Sequence, residues 1–229
     1  RVKREHVRLL LFGHPQNPTG HVYTTEDLQA LAALCERCNL IVVSDEVHAD
    51  LTYTEHTHIP FAVFAPERTI TLNAPSKAFN VAGLRTAVCV ASPSLRERLE
   101  ALPPTRWSAF STFGLRAARA AWSDDGALWL EACVTHLHAM RHMLADRLKT
   151  CCPAISYTPP AAGYLAWLDC RSLGLDNPAA FFLEKANVAL SAGPDFGAPG
   201  AGFARLNFAT SEEILNRILS RMACALRER

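Results

Sequence analysis

The stretch RLLLFGHPQNPTGHVYTTEDLQALAALCERCNLIVV, Arg8 to Val43, decides the fold. Arg8–Phe12 is a short apolar run that reads as a buried strand, and it stops at a turn-forming cluster, Pro15-Gln16-Asn17-Pro18-Thr19-Gly20. Thr24 with Asp27 three residues later makes a helix-capping pattern, and Leu28, Leu31, Leu34 and Cys35 supply an apolar stripe at helical spacing. Leu40–Val43 is then a second strand. Strand, amphipathic helix, strand argues for an α/β fold with a largely parallel sheet.

Working outward, Thr69–Leu72 and Thr86–Ala91 read as a third and a fourth strand, all four short enough for a core. Helices are expected at about Ser94–Leu102, Phe113–Trp122 and Leu128–Lys149. The breaker-rich Cys151-Cys152-Pro153 and Pro159-Pro160 place a boundary there, giving a large unit over residues 1–150 and a small α+β unit over 151–229. In the latter, Tyr164–Asp169, Val188–Leu190 and Arg205–Phe208 read as strands, and Pro178–Ala186 and Ser211–Leu226 as helices.

Composition narrows the function classes. A hydrophobic share of 49% with 20% charged residues is that of an ordinary globular chain. A net charge of +1 gives no reason to expect nucleic acid or an anionic membrane surface as partner. No apolar run approaches the roughly 18–20 residues that would span a bilayer. The start RVKREHVRLLLFGHP is basic and then apolar, but without a small-residue cleavage site it does not read as a signal peptide. The eight cysteines are expected as free thiols in a reducing, cytoplasmic setting, because a chain this long and apolar needs no disulfide framework.

Several residues carry chemistry. Lys77 follows the third strand in Asn73-Ala74-Pro75-Ser76-Lys77-Ala78-Phe79-Asn80, with no carboxylate within four positions; such a setting can lower an amine's pKa and make it nucleophilic, although most lysines after a strand are solvated and alone it reads as one of those. Asp45 and Glu46 end the second strand, where a carboxylate serves as helix cap, ion-pair partner or site residue. Asn17 reads alone as a turn residue and Arg85 as a surface charge opening a strand. Cys35-x-x-Cys38 has redox spacing but lies at the end of its helix, where the dipole does not lower a thiol pKa. His138, His142 and Asp146 share a helical face that reads as solvated, His56-x-His58 reads as a polar loop, and no metal is expected.

Taken in order, Pro15-x-Asn17-Pro18-Thr19-Gly20, Ser44-Asp45-Glu46-x-His48, Ser76-Lys77-x-Phe79-Asn80 and Gly83-Leu84-Arg85 resemble the fold-type I pyridoxal-phosphate enzymes of the class I/II aminotransferase family. The resemblance runs from about Arg8 through Thr210. It implies a transferase-like large domain, incomplete here, followed by a small C-terminal domain. It implies pyridoxal 5'-phosphate as cofactor: Lys77 forms the imine and shuttles the proton, Asp45 pairs with the pyridinium nitrogen, and Asn17 and His48 contact the phenolic oxygen. Arg85 and Ser76 are implied to hold the phosphate, and Arg205 in Phe203-Ala204-Arg205-Leu206-Asn207-Phe208 to grip the substrate α-carboxylate.

SDEVHAD (residues 44–50), HIPF (58–61), APSKAFNVAGL (74–84) and GYLAWLD (163–169) are closer to the cystathionine β-lyase-like, carbon–sulfur lyase branch. That branch implies cleavage of cystathionine or cysteine S-conjugates to pyruvate, ammonia and a thiol. The alternatives are an aminotransferase with the same cofactor and a catalytically inactive fragment. Relatives are longer, so the resemblance implies that an N-terminal part bearing a glycine-containing phosphate loop and a stacking aromatic is lacking, and that the full-length chain is a homodimer. Two positions depart from the pattern: His14, where Asn is common, and Ala74, where some relatives place a hydroxyl.

Overall fold

A computed structural model describes residues 6–103 and 111–229; the first five residues of the basic start lie outside the described ones. By contacts the chain forms two units, Arg1–Gln16 with His21–Ala132, and Asn17–Gly20 with Cys133–Arg229.

In the first unit, β1 (Leu9–Gly13), β2 (Ile41–Asp45), β3 (Thr69–Asn73) and β4 (Val88–Ala91) form one sheet in that order. Helix α1 (Thr25–Arg37) links β1 to β2. It starts where the sequence predicts: Thr24 Oγ1 accepts from Asp27 N, and the Asp27 carboxylate accepts from Thr24 N, so each residue satisfies an amide the helix leaves open. Phe12, Val42, Leu28, Cys35, Leu40, Phe61 and Ala65 then make one buried cluster. Fully burying each large member contributes roughly 1.5–3 kcal/mol. Helices α2 (Pro93–Glu100) and α3 (Thr112–Ala121) follow β4.

Two expectations for this sheet need correction. β1 is an edge strand, not a buried one: strand alternation sends Leu10 and Phe12 to the core, while Leu9 and Leu11 are 50% and 75% exposed. β4 also lies at an edge, and it runs antiparallel to β3. No α-helix intervenes between β3 and β4 to return the chain for a parallel pairing.

The second unit holds β5 (Leu165–Asp169), β6 (Ser191–Ala192) and β7 (Phe203–Asn207) in an antiparallel sheet, order β5-β7-β6, with α5 (Pro178–Ala186) and α6 (Glu212–Arg227). The strand expected at Val188–Leu190 forms later, at β6. Asn187 adopts the left-handed conformation after α5, and Val188 N bonds back to Phe182 O, so these residues close the helix instead of pairing. Helix α4 (Asp124–Cys151) contains the division between the units, while the Cys151–Pro153 breakers mark its end. No helix among the described residues is long and apolar enough to cross a membrane.

Candidate active site

Strand register determines which residues meet at one sheet edge. Gly13 pairs with Asp45, Asp45 with Leu72, and Asn73 with Val88. The carboxyl ends of β1, β2 and β3 and the amino end of β4 therefore share one edge, the position where open α/β sheets bind ligands. Asp45 is the last residue of β2 and is exposed there. His48, buried, begins the 3-10 turn Ala49–Leu51 just beyond. Ser76 and Lys77 lie in the loop leaving β3, and Arg85 in the loop entering β4.

The lysine loop is fastened on both sides of Lys77. Ala74 and Ala78 are buried, Asn73 Oδ1 accepts from Ala74 N at 2.7 Å, Phe79 N bonds to Pro75 O, and the Phe79 ring stacks on Trp129. Lys77 itself is half-buried and forms no ion pair among the described residues, whereas Lys149 and Lys185 are exposed and sit beside Asp146 and Glu184. Of the described lysines, Lys77 is thus the one that is half-buried and outside a surface ion pair.

Arg85 is held in the left-handed region, φ 53° and ψ 46°, at a cost of about 1–2 kcal/mol for a residue with a Cβ. Helix α3 supports this loop at Gly114, where a Cβ would stand 1.8 Å from Thr86 Oγ1 and 2.7 Å from Leu84 O. Alanine is ordinarily the better helix residue by up to about 1 kcal/mol. Here the clash reverses the sign, and Gly114→Ala is expected to lower stability by about 1–3 kcal/mol in urea denaturation. An unchanged midpoint would show that the loop yields freely.

Beneath Asp45 lies a buried carboxylate that sequence reasoning left open between several roles. Glu46 is 2% exposed; its Oε1 accepts from Ser44 Oγ at 2.8 Å and Phe61 N at 3.1 Å, and its Oε2 from His58 Nε2 at 2.9 Å. This corrects the reading of His56-x-His58 as a polar loop, since the His58 side chain is only 11% exposed. Burial alone would raise the Glu46 carboxyl, but the hydrogen bonds from His58, Ser44 and Phe61 hold it below its ordinary 4.5. A depressed carboxyl stabilises the fold fully above 4.5 and loses that contribution as pH falls below it. Stability measured against pH should fall through the acid range, and Glu46→Gln should flatten part of that fall.

In the second unit, Arg205 on β7 is fixed from three sides. Nη1 donates to Asn17 Oδ1 at 3.0 Å, Nη2 donates to Ser191 Oγ at 3.1 Å, and the guanidinium lies 4.5 Å from the Phe196 ring centroid. Ser191 reaches it because β6 sets that residue opposite Arg205. Burial draws the guanidinium below its ordinary value, partly opposed by Tyr164, yet it stays cationic at any working pH. The Asn17 turn is seated by Gly20, with φ +65°, where a Cβ would come within 2.4 Å of both Pro160 Cβ and Ala162 O. Ala162 N donates to Gly20 O, and Arg141 Nη1 donates to Pro160 O. The sequence named Asn17 and Arg205 separately; the bond between residues 188 positions apart was not visible there.

With this geometry in place, comparison with known proteins is direct. The family described as aminotransferase class I and II matches residues 2–222. The chain belongs to the class I and II aminotransferase family. Among its curated relatives, protein MalY of Escherichia coli is 35% identical over 99% of this chain and 59% of its own length. Cystathionine beta-lyase PatB of Bacillus subtilis is 34% identical over 96% of the chain and 58% of its own length. The solved structure of cystalysin from Treponema denticola, which contains pyridoxal 5'-phosphate, superposes with a TM-score of 0.91 at 30% identity, covering 99% of this chain and 59% of that one. The α/β architecture is therefore that of the family, and the chain spans less than two thirds of the length of these relatives.

Other signals carry less. Cys35 and Cys38 sit at the end of α1, and burial pushes the Cys35 thiol up, the opposite of redox activation. All eight cysteines are free thiols.

Proposed function

We propose that this chain is the larger part of a pyridoxal-phosphate-dependent carbon–sulfur β-lyase acting on cystathionine or cysteine S-conjugates. The observation that carries the reading is a half-buried lysine without an ion pair, on the same sheet edge as an exposed carboxylate and an arginine. That donor set fits the cofactor: an amine for its aldehyde, an anion for its ring nitrogen, and a guanidinium with the Ser76 hydroxyl for its phosphate. The name of the relative PatB, a cystathionine beta-lyase, favours the lyase branch.

When bound, pyridoxal phosphate supplies an aldehyde for the substrate amine and an electron-poor ring that accepts the pair left at the α-carbon. The remaining work falls to this chain's residues. Lys77 would hold the cofactor through its Nζ, and the same nitrogen would take the substrate's α-proton. Asp45 would hold the proton on the cofactor's ring nitrogen. Asn17, whose amide oxygen accepts from Arg205, would use its amide nitrogen as a donor to the phenolic oxygen, the role the resemblance also gives His48. Arg85 and Ser76 hold the phosphate. Arg205 orients the substrate carboxylate through its planar fork. On this reading a cysteine S-conjugate and water would give a thiol, pyruvate and ammonia.

The second reading, an aminotransferase, is favoured by the family description itself. Incubation with cystathionine and cofactor, without any keto acid, tests between them. Pyruvate and thiol released in equal amounts support the lyase; turnover only on adding a keto-acid acceptor overturns it in favour of transfer. The same reading includes a cytoplasmic homodimer, for which eight free thiols suit a reducing compartment.

A further inference from the structure

We infer that Glu46, held by Ser44 and His58, is a positioning residue that aims the Asp45 carboxylate. This rests on the reading of Asp45 as the partner of the cofactor's ring nitrogen.

Asp45 has little of its own to direct it. Among the described residues its carboxylate accepts only from Val47 N, at 3.2 Å, a bond inside its own turn. Its aim is therefore set by the backbone on either side. That backbone is clamped: His14 N donates to Asp45 O at 2.9 Å, and Glu46 N donates to Leu72 O at 2.9 Å. The flanking side chains, Ser44 at 0% and Glu46 at 2% exposure, are bonded to each other beneath it. Glu46 also gathers the 58–61 segment through His58 and Phe61 N. One buried carboxylate thus joins the tip of β2 to the 58–61 segment, and Asp45 beside it faces outward.

The histidines extend this support. His58 Nε2 donates to the Glu46 carboxylate and His14 Nε2 to Ile59 O, which leaves each Nδ1 as a lone pair in the neutral ring. Both Nδ1 atoms are buried without a partner among the described residues, and the rings stand 4.4 Å apart. A charge on His14 is disfavoured: burial, then the neighbouring His58, draws its pKa down. His21 and Tyr23 are the other titratable groups facing His14. The arrangement therefore accommodates one buried anion with one imidazole donor, and a charge-neutral substitute at Glu46 disturbs both.

A purely structural staple and a positioning residue differ in what they move. The unmodified chain, Asp45→Asn, Glu46→Gln and the double variant are titrated with pyridoxal 5'-phosphate, reading the dissociation constant and the pH midpoint of the cofactor's absorbance change. The inference expects Glu46→Gln to weaken binding about tenfold, to shift the midpoint in the same direction as Asp45→Asn, and to add nothing in the double variant. Glu46→Gln matching the unmodified chain, or adding fully to Asp45→Asn, overturns it. Asp45→Asn matching the unmodified chain instead removes the underlying reading of Asp45, and the inference with it. If Glu46→Gln does not fold, Ser44→Ala, which deletes one of the three donors to Glu46, is read by the same criteria.

Discussion

Lys77→Ala is expected to abolish turnover with cystathionine, lowering the rate by roughly a hundredfold to ten-thousandfold from loss of the proton-transferring group alone. The covalent hold on the cofactor goes as well, so the bound form should lack the visible band given by the unmodified chain. The effect should be local. Lys77 makes no ion pair among the described residues, and the loop around it is fastened by Ala74, Ala78 and the Phe79–Trp129 stack. Removing the side chain breaks none of these, and unfolding stability in urea should stay within about 0.5 kcal/mol of the original. Full activity in Lys77→Ala would end the assignment, whatever the band showed.

Arg205→Leu is expected to raise KM for amino-acid substrates steeply while cofactor affinity changes little. Deleting one partner of a desolvated, hydrogen-bonded charge pair costs about 2–5 kcal/mol, which is roughly 30-fold to several-thousand-fold in kcat/KM. Arg205→Lys should recover little. The guanidinium is held by Asn17 and Ser191 through separate nitrogens and lies on the Phe196 ring, and a single ammonium cannot reproduce that fork. Because Asn17 is bonded to Arg205, Asn17→Ala and Arg205→Leu should be non-additive in kcat/KM. Strict additivity, or an Arg205→Leu KM within twofold of the original, would show that the arginine serves only the fold.

How far the sequence carried the reading depends on the kind of signal. Local patterns translated well: the Thr24–Asp27 capping pair, the α1 stripe and the Pro178–Ala186 helix appear where short-range chemistry puts them. The edge that gathers Asp45, Lys77 and Arg85 followed from ordered motifs after predicted strands. What depended on unseen neighbours was not legible. Leu9 and Leu11 look like core residues in isolation, and only the strand order shows them on an uncovered face at the edge. The direction of β4 hinges on the absence of a crossover helix, and the shift of β6 on one left-handed Asn187.

The polar partners were hidden for a similar reason. His58 lies among polar residues in sequence, and its burial arises from folding back 12 residues onto Glu46. Glu46 beside Asp45 gave no sign of which carboxylate would face inward. Strand alternation supplied the means: Ser44 and Glu46 share the buried face and Asp45 points away. That signal was available and unused.

The most direct test of the central claim is chemical. The protein is incubated with pyridoxal 5'-phosphate, reduced with borohydride and digested, and the peptides are weighed. The sequence holds four lysines, Lys3, Lys77, Lys149 and Lys185, so the modified position is unambiguous. The predicted result is one stoichiometric pyridoxyl label on the peptide containing Lys77. A label on Lys3, Lys149 or Lys185 with Lys77 unmodified, or no label at all, would contradict it.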